Sequence, residues 1–231
     1  MERRDFVKVC AAAAVAGVAG TPAVGASARP YARAQLVDES GLPLRASAIP
    51  AEQNLIFHYP YAATPCFLLN LGRPTATPRT LATASKTAYE WPGGVGAMRS
   101  IVAYSAICAH QLAYPTREIS FISYRPGKSA RNRHANVIHC CAEHSQYDPA
   151  EGARVVAGPA PQPLAAILLE HDPASDGLWA VGTLGGEVFN AFFAKYQVRL
   201  ELEHGAAARR GVAATSRVYE LTEYCRQQVK C

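Results

Sequence analysis

The sequence predicts an all-β protein, an antiparallel sandwich or barrel, and three observations support this class. First, short runs of β-branched, aromatic and aliphatic residues recur along the chain. Second, Pro, Gly, Asn or Asp separates most of these runs, as at Pro126-Gly127 and Asp176-Gly177, and such punctuation is typical of sandwiches and barrels. Third, helical periodicity is weak before the last part of the chain.

Nine of these runs are expected to form strands. In chain order they are residues 56–59, 66–71, 100–104, 119–124, 136–139, 154–156, 164–170, 178–182 and 198–203. Residues 75–85, rich in Thr, Ala, Ser and Pro, predict a surface loop, and residues 117–134 predict an exposed excursion. The final residues, 205–231, predict a polar tail with helical character.

Length and composition exclude several classes of protein. The chain has 231 residues, with 49% hydrophobic and 18% charged residues, which fits one globular domain with appendages rather than a disordered chain or a coiled coil. The net charge of +5 is mild and has no polybasic block, so a nucleic-acid partner is not expected. Seven cysteines are too few for a miniprotein built on disulfides.

The first 28 residues predict an export signal. Arg3-Arg4, followed by Phe6 and Lys8, forms a twin-arginine motif, and residues 9–28 carry no charge. Ala26-Ser27-Ala28 is a small-x-small cleavage site, so the mature protein would be periplasmic. A second interpretation keeps residues 9–28 as an uncleaved anchor, which would attach the protein to the outer face of the inner membrane.

Two pairs of soft ligands lie at short spacings in the middle of the chain. Cys108-Ala-His110 is followed, after 30 residues, by Cys141-Ala-Glu-His144. Two thiolates and two imidazoles suit a transition metal, and tetrahedral zinc is one candidate. The other is a [2Fe–2S] centre of the Rieske type, in which two Cys hold one iron and two His hold the other.

The flanking residues resemble those of the Rieske family. Ser145-Gln-Tyr147-Asp148 follows the second pair, and Gly158-Pro-Ala-Pro-Gln-Pro-Leu164 comes shortly after. In that family a Ser-x-Tyr-Asp stretch ends the second loop and a Gly-Pro-Ala-Pro segment covers the cluster. The resemblance implies one [2Fe–2S] cluster per chain. It also implies a Rieske fold over residues 29–204, with a cluster-binding subdomain inserted at about 105–165.

The resemblance also implies a role for each site residue. Cys108 and Cys141 would ligate the inner iron, and His110 and His144 would ligate the outer iron. Ser145 would donate a hydrogen bond toward a bridging sulfide, and Tyr147 would donate one toward a cysteine sulfur. Such donors stabilise the reduced cluster and raise its reduction potential.

This sequence departs from the family in its loops. Respiratory members carry a further cysteine in each loop, joined as a disulfide, but here these positions are Ala113 and Glu143, or Ala142 if the register shifts by one. Counting back from Ser-x-Tyr-Asp favours that shift and would make Cys140 the ligand. The Cys-x-x-His spacing favours Cys141, which we therefore take as the ligand. The segment between the loops is also longer than the family usually needs.

Within the family, the chain resembles the small subunit of arsenite oxidase. The similar stretches lie at residues 57–60, 65–72, 93–96, 101–105 and 172–182. The resemblance spans about residues 50–195. It implies an exported subunit that performs no catalysis alone. This subunit would pass electrons from a larger molybdenum subunit to a c-type cytochrome or cupredoxin.

Other interpretations remain open at this stage. A quinol–cytochrome c reductase (bc-type) subunit would need a membrane anchor and the missing disulfide, and ring-hydroxylating oxygenases are cytoplasmic. A structural zinc-binding subunit is the alternative from a different class. Among the other cysteines, Cys66 lies in an apolar run and is expected to be a buried free thiol. In an oxidising periplasm Cys225 and Cys231 are candidates to pair with each other or with Cys140, but the sequence predicts no particular disulfide.

Overall fold

A computed structural model describes residues 28–75, 78–129 and 133–231. The expected export signal lies outside these ranges except for Ala28. Within the three ranges, no helix is both long enough and apolar enough to cross a membrane.

The described residues form sixteen strands. They are β1 (Arg29–Val37), β2 (Leu55–His58), β3 (Pro65–Asn70), β4 (Arg79–Ala82), β5 (Ala88–Trp91), β6 (Ile101–Ser105), β7 (Ile119–Ser120), β8 (Ile122–Arg125), β9 (Val137–Cys140), β10 (Ser145–Asp148), β11 (Arg154–Ala157), β12 (Ala166–Asp172), β13 (Gly177–Leu184), β14 (Ala214–Arg217), β15 (Tyr219–Glu220) and β16 (Gln227–Gln228). Three short helices accompany them: α1 (Phe189–Lys195), α2 (Gln197–His204) and α3 (Leu221–Tyr224). The predicted all-β class is confirmed.

The main sheet has eight strands and curls into a nearly closed barrel. Its order is β14-β1-β13-β12-β6-β3-β2-β15. The two edge strands are consecutive in the chain, so residues 214–220 pair with β1 on one side and with β2 on the other. The Ser216 hydroxyl links these edges, because it donates to the His58 carbonyl (2.8 Å) and accepts from the His58 N–H (3.3 Å).

Strand β3 is buried on both faces, which explains its continuous apolar sequence. Cys66 and Leu68 face one hydrophobic core, and Phe67 and Leu69 face another, because successive side chains of a strand point to opposite faces. Cys66 is a buried free thiol, as expected, and its Sγ donates to the Tyr59 carbonyl at 2.9 Å.

A second sheet is inserted between two neighbouring strands of the first. Strands β6 and β12 pair at Tyr104 and Ala166, and residues 106–165 leave and return between them. This insertion contains the sheet β11-β10-β9-β8. Side chains such as Ile138 and Tyr147 pack with Phe67 of the main sheet in one core. The loops that carry the predicted ligands belong to this insertion.

The predicted strand at residues 198–203 is wrong, because this segment lies in α2. Its alternating Val, Leu and Leu imitate a strand. Val198 and Leu202 are, however, 72% and 83% exposed, and in α2 only Leu200 is buried. Residues four apart make favourable contacts on a helix, and Arg199 pairs with Glu203 at 2.6 Å in this way.

Two further segments differ from expectation. Residues 75–85 were expected to be a loop, but they contain β4, which forms a hairpin with β5 and places Leu81, Tyr89 and Trp91 in a core. Residues 205–231 are largely extended and contain three strands and one short helix. Most of the polar tail is thus part of the folded structure.

Candidate metal centre

The first loop follows β6 and turns tightly at Cys108. The Cys108 side chain is fully buried. Its N–H donates to the Ala113 carbonyl at 2.8 Å, and its carbonyl accepts from the Leu112 N–H at 2.9 Å. Within this turn the N–H groups of His110 and Gln111 donate to the Cys108 sulfur. Two backbone N–H groups of the loop therefore stabilise the thiolate form of Cys108.

The second loop repeats this arrangement around Cys140. Cys140 ends β9 and lies opposite Ser145, the first residue of β10, so the loop consists of residues 141–144. The N–H groups of Ala142 and Glu143 donate to the Cys140 sulfur. In both loops the donors are the second and third residues after the cysteine. This shared pattern makes Cys140 the counterpart of Cys108.

The two sulfurs lie together in the core between the sheets. The Cys140 thiol donates a hydrogen bond to the Cys108 sulfur, and the Tyr147 hydroxyl lies 3.3 Å from the same sulfur. The Cys140 hydrogen bond is the main cause that lowers the pKa of Cys108 to about 6, and the same bond, followed by burial, raises the pKa of Cys140. The thiolate is the metal-binding form of cysteine, so the lowered pKa of Cys108 favours the binding of a metal cation by this pair.

Cys141, the ligand preferred from the sequence, lies elsewhere. It forms a disulfide with Cys231. Neighbouring residues at a strand end point in opposite directions, and Cys140 points into the core beside Ile138. The structure thus pairs Cys108 with Cys140 rather than with Cys141. Counting back from Ser-x-Tyr-Asp pointed to Cys140, whereas the Cys-x-x-His spacing pointed to Cys141, which the structure bonds to Cys231.

Two buried polar atoms in these loops suit a bound metal cluster. The Nδ1 atom of His110 and the Oγ atom of Ser145 are buried, and neither has a hydrogen-bond partner among the described residues. Buried polar atoms are rarely left unpaired. An imidazole nitrogen can ligate a metal and a hydroxyl can donate to a sulfide. Together with two cysteine sulfurs, this donor set fits an iron–sulfur cluster.

His144 is not brought to the sulfur pair. Its ring lies 5.7 Å from the ring of His139, centroid to centroid, and the nitrogens of His139 lie 3.5 Å from the Cys231 sulfur. His139 is fully buried. Burial, followed by the nearby His144 and Arg125, lowers the pKa of His139 to about 4. His144 therefore lies on the disulfide side of the loop.

The predicted ligands do not gather around one point. Among the described residues, the only group of three or more potential ligand atoms within 4.8 Å of one another is His139, Cys141 and Cys231. Tetrahedral zinc needs its four ligand atoms in one compact shell. Cys108, His110 and Cys140 do not form a group of this kind in the part of the chain that the structure describes.

The Gly-Pro-Ala-Pro segment covers the second loop. Gly158 has φ of +84°, and a Cβ there would come within 2.5 Å of the His144 carbonyl oxygen and the Ser145 Cα. Only glycine permits this approach without strain. Ala160 then packs against the core that holds both sulfurs, and Leu164 is buried in it.

Residues 225–231, called the Cys231 strap below, lie along the insertion. Strand β16 pairs in parallel with β7, and the Val229 N–H donates to the Ser120 carbonyl at 2.9 Å. The Arg125 side chain donates to the Val229 carbonyl. The disulfide to Cys141 then fixes the strap to the second loop. The pairing of Cys141 with Cys231 was not predicted, because disulfide connectivity cannot be read from spacing.

Comparison with known proteins gives a similarity to a solved structure but no family match. No family model matches the chain. Among solved structures, the chain is similar to the soluble domain of the Rieske protein II (soxF) from Sulfolobus acidocaldarius, with 24% sequence identity and a TM-score of 0.44. The match covers 68% of this chain and 82% of that chain. The function proposed next rests on the residues of the two loops.

Proposed function

We propose that this protein transfers single electrons through one Rieske-type [2Fe–2S] cluster bound between the two loops. The observation that carries the proposal is the buried pair of Cys108 and Cys140, in which each sulfur accepts two backbone N–H groups from its own loop. Thiolates held in this way are the ligands of iron–sulfur clusters. The unpaired Nδ1 of His110 supports a mixed sulfur and nitrogen ligand set.

In this proposal each residue has a distinct task. Cys108 and Cys140 would hold one iron, and His110 would hold the other through its unpaired Nδ1. The fourth ligand comes from the loop 141–144, where His144 is the choice made from the sequence. When bound, the cluster supplies a one-electron redox couple. Ser145 and Tyr147 would donate hydrogen bonds to the bound cluster, which would favour its more negative reduced state and raise the potential.

Spectroscopy of the purified full-length protein tests this function. We expect visible absorption, iron and sulfide in equal amounts, and a rhombic EPR signal after reduction. Cys108→Ser and Cys140→Ser should both lose the iron, because each removes a thiolate ligand. Cys66→Ala, which changes a buried thiol in the other core, should retain it. A colourless protein that carries one zinc ion per chain would contradict the proposal and support a structural zinc subunit.

Location and partners form a second part of the proposal. The protein works in the periplasm, where it receives electrons from a molybdenum subunit like that of arsenite oxidase and passes them to a c-type cytochrome or cupredoxin. The twin-arginine residues support export, and the Cys141–Cys231 disulfide suits an oxidising compartment. The resemblance at residues 57–60 and 65–72 supports this donor. Co-purification of a molybdopterin subunit is the expected result, whereas a cytochrome b would favour the bc-type alternative.

A further inference from the structure

The loop between Cys140 and Ser145 has four side chains, and two of them point away from the sulfur pair. Cys141 is bonded to Cys231. His144 lies beside His139, whose ring contacts the Cys231 sulfur. Both side chains are therefore directed to the disulfide side of the loop, opposite to Cys140.

The other two side chains are those of Ala142 and Glu143. Ala142 has no ligand atom. The N–H of Glu143 donates to the Cys140 sulfur, which places this residue at the metal-binding end of the loop. Its carboxylate is exposed, and it makes no hydrogen bond or ion pair with any residue that the structure describes. Glu143 is thus a loop residue whose backbone reaches the Cys140 sulfur and whose carboxylate has no partner among the described residues.

The register of the loop leads to the same residue. The Cys-x-x-His spacing places a ligand three residues after the cysteine. When Cys140 is the cysteine, the third residue is Glu143 and His144 is the fourth. His144 has φ of 57°, as Leu112 at the corresponding fourth position of the first loop has φ of 61°. The left-handed residue forms the turn in each loop, and the proposed ligand precedes it, His110 by two residues and Glu143 by one.

We infer that Glu143, and not His144, is the fourth ligand of the proposed cluster, a conclusion that rests on the proposed function. The ligand set would then be Cys108, Cys140, His110 and Glu143. A carboxylate oxygen brings one more negative charge to the site than a neutral imidazole does. Because the potential of an iron–sulfur cluster depends on its net charge, Glu143 should make the cluster harder to reduce than one with two imidazoles.

Pulsed EPR of the reduced, iron-loaded full-length protein tests this ligand assignment, because it counts the imidazole nitrogens coupled to the cluster. We expect one strongly coupled nitrogen in the unaltered protein and also in His144→Ala. Glu143→His should show two such nitrogens and a higher midpoint potential in a redox titration. Glu143→Gln should lose most of its bound iron.

The possible failures are distinguishable. Two coupled nitrogens in the unaltered protein, with one lost in His144→Ala, would overturn the Glu143 assignment and leave the proposed function intact. Retention of iron and of the spectrum in Glu143→Gln, together with loss of both in His144→Ala, would have the same meaning. Absence of iron from the unaltered protein would overturn the proposed function and this inference together.

Discussion

At the residue scale, the hydroxyl group of Tyr147 connects the two loops. The Tyr147 hydroxyl lies 3.3 Å from the Cys108 sulfur and accepts the Ala109 N–H at 3.2 Å. Tyr147 is fully buried, and burial, followed by the charge of Cys108, raises the pKa of its hydroxyl. The group therefore stays protonated and can donate to the sulfur. It connects β10 of the second loop to the first loop.

Replacing Tyr147 with Phe should weaken both the fold and the redox site. The buried Ala109 N–H would lose its acceptor, and an unsatisfied buried group costs about 1–3 kcal/mol. Denaturant unfolding should show a loss of stability of this size. In the iron-loaded protein the midpoint potential should also fall, because the sulfur loses a donor.

Tyr114→Phe is the matched control for this prediction. The Tyr114 hydroxyl is buried and has no hydrogen-bond partner among the described residues, so its removal breaks no hydrogen bond. We expect Tyr114→Phe to retain both stability and potential. Equal effects of the two substitutions would show that the Tyr147 hydroxyl has no special role.

At the element scale, the Cys231 strap acts as an added strand with a covalent end. Its backbone donates to one carbonyl just before β7 and to one within it, with Gln227 bonded to Glu118 at 3.0 Å and Val229 bonded to Ser120 at 2.9 Å. The disulfide then joins it to the second loop across a sequence separation of 90 residues. The strap holds the second loop from outside.

Cys231→Ser should release this strap. In the chain-entropy model a disulfide that closes a loop of this length stabilises the folded state by about 4.6 kcal/mol, and denaturant unfolding should show a loss of that order. Hydrogen exchange should become faster at residues 226–229 and at the second loop. Cys225→Ser is the control, because serine can still donate to the Gln227 carbonyl as the thiol does at 3.0 Å. Unchanged exchange in Cys231→Ser would show that the strap is held without the disulfide.

At the scale of the whole molecule, the sequence predicts the parts whose physics is local. Strands such as β3 were predictable because burial on both faces requires an unbroken apolar run. The choice between Cys140 and Cys141 was not, because it depends on which sulfur faces Cys108 across the core. The Cys141–Cys231 bond is equally non-local. The alternation of apolar and polar residues at 198–203 led to a wrong strand prediction, because the same pattern fits an exposed helix.

The closure of the barrel could not be predicted either. It depends on residues 214–220, which the sequence predicts to be part of a polar tail. Residues 214–220 cover both edges of the main sheet. Val218 between the two strands is only 5% exposed, and Leu221 just after them is fully buried. An exposed strand edge is a site for aggregation. Residues 214–220 are therefore an integral part of the main sheet.

Two truncations separate closure of the barrel from attachment of the strap. A chain that ends after residue 204 lacks β14 and β15, so it should lose cooperative thermal unfolding and aggregate. A chain that ends after residue 224 keeps both strands and the Ser216–His58 hydrogen bonds and loses only the strap. It should unfold cooperatively at a lower temperature than the full chain. Cooperative unfolding of the shorter chain would mean that the sheet is stable with its edges open, and circular dichroism melts measure this directly.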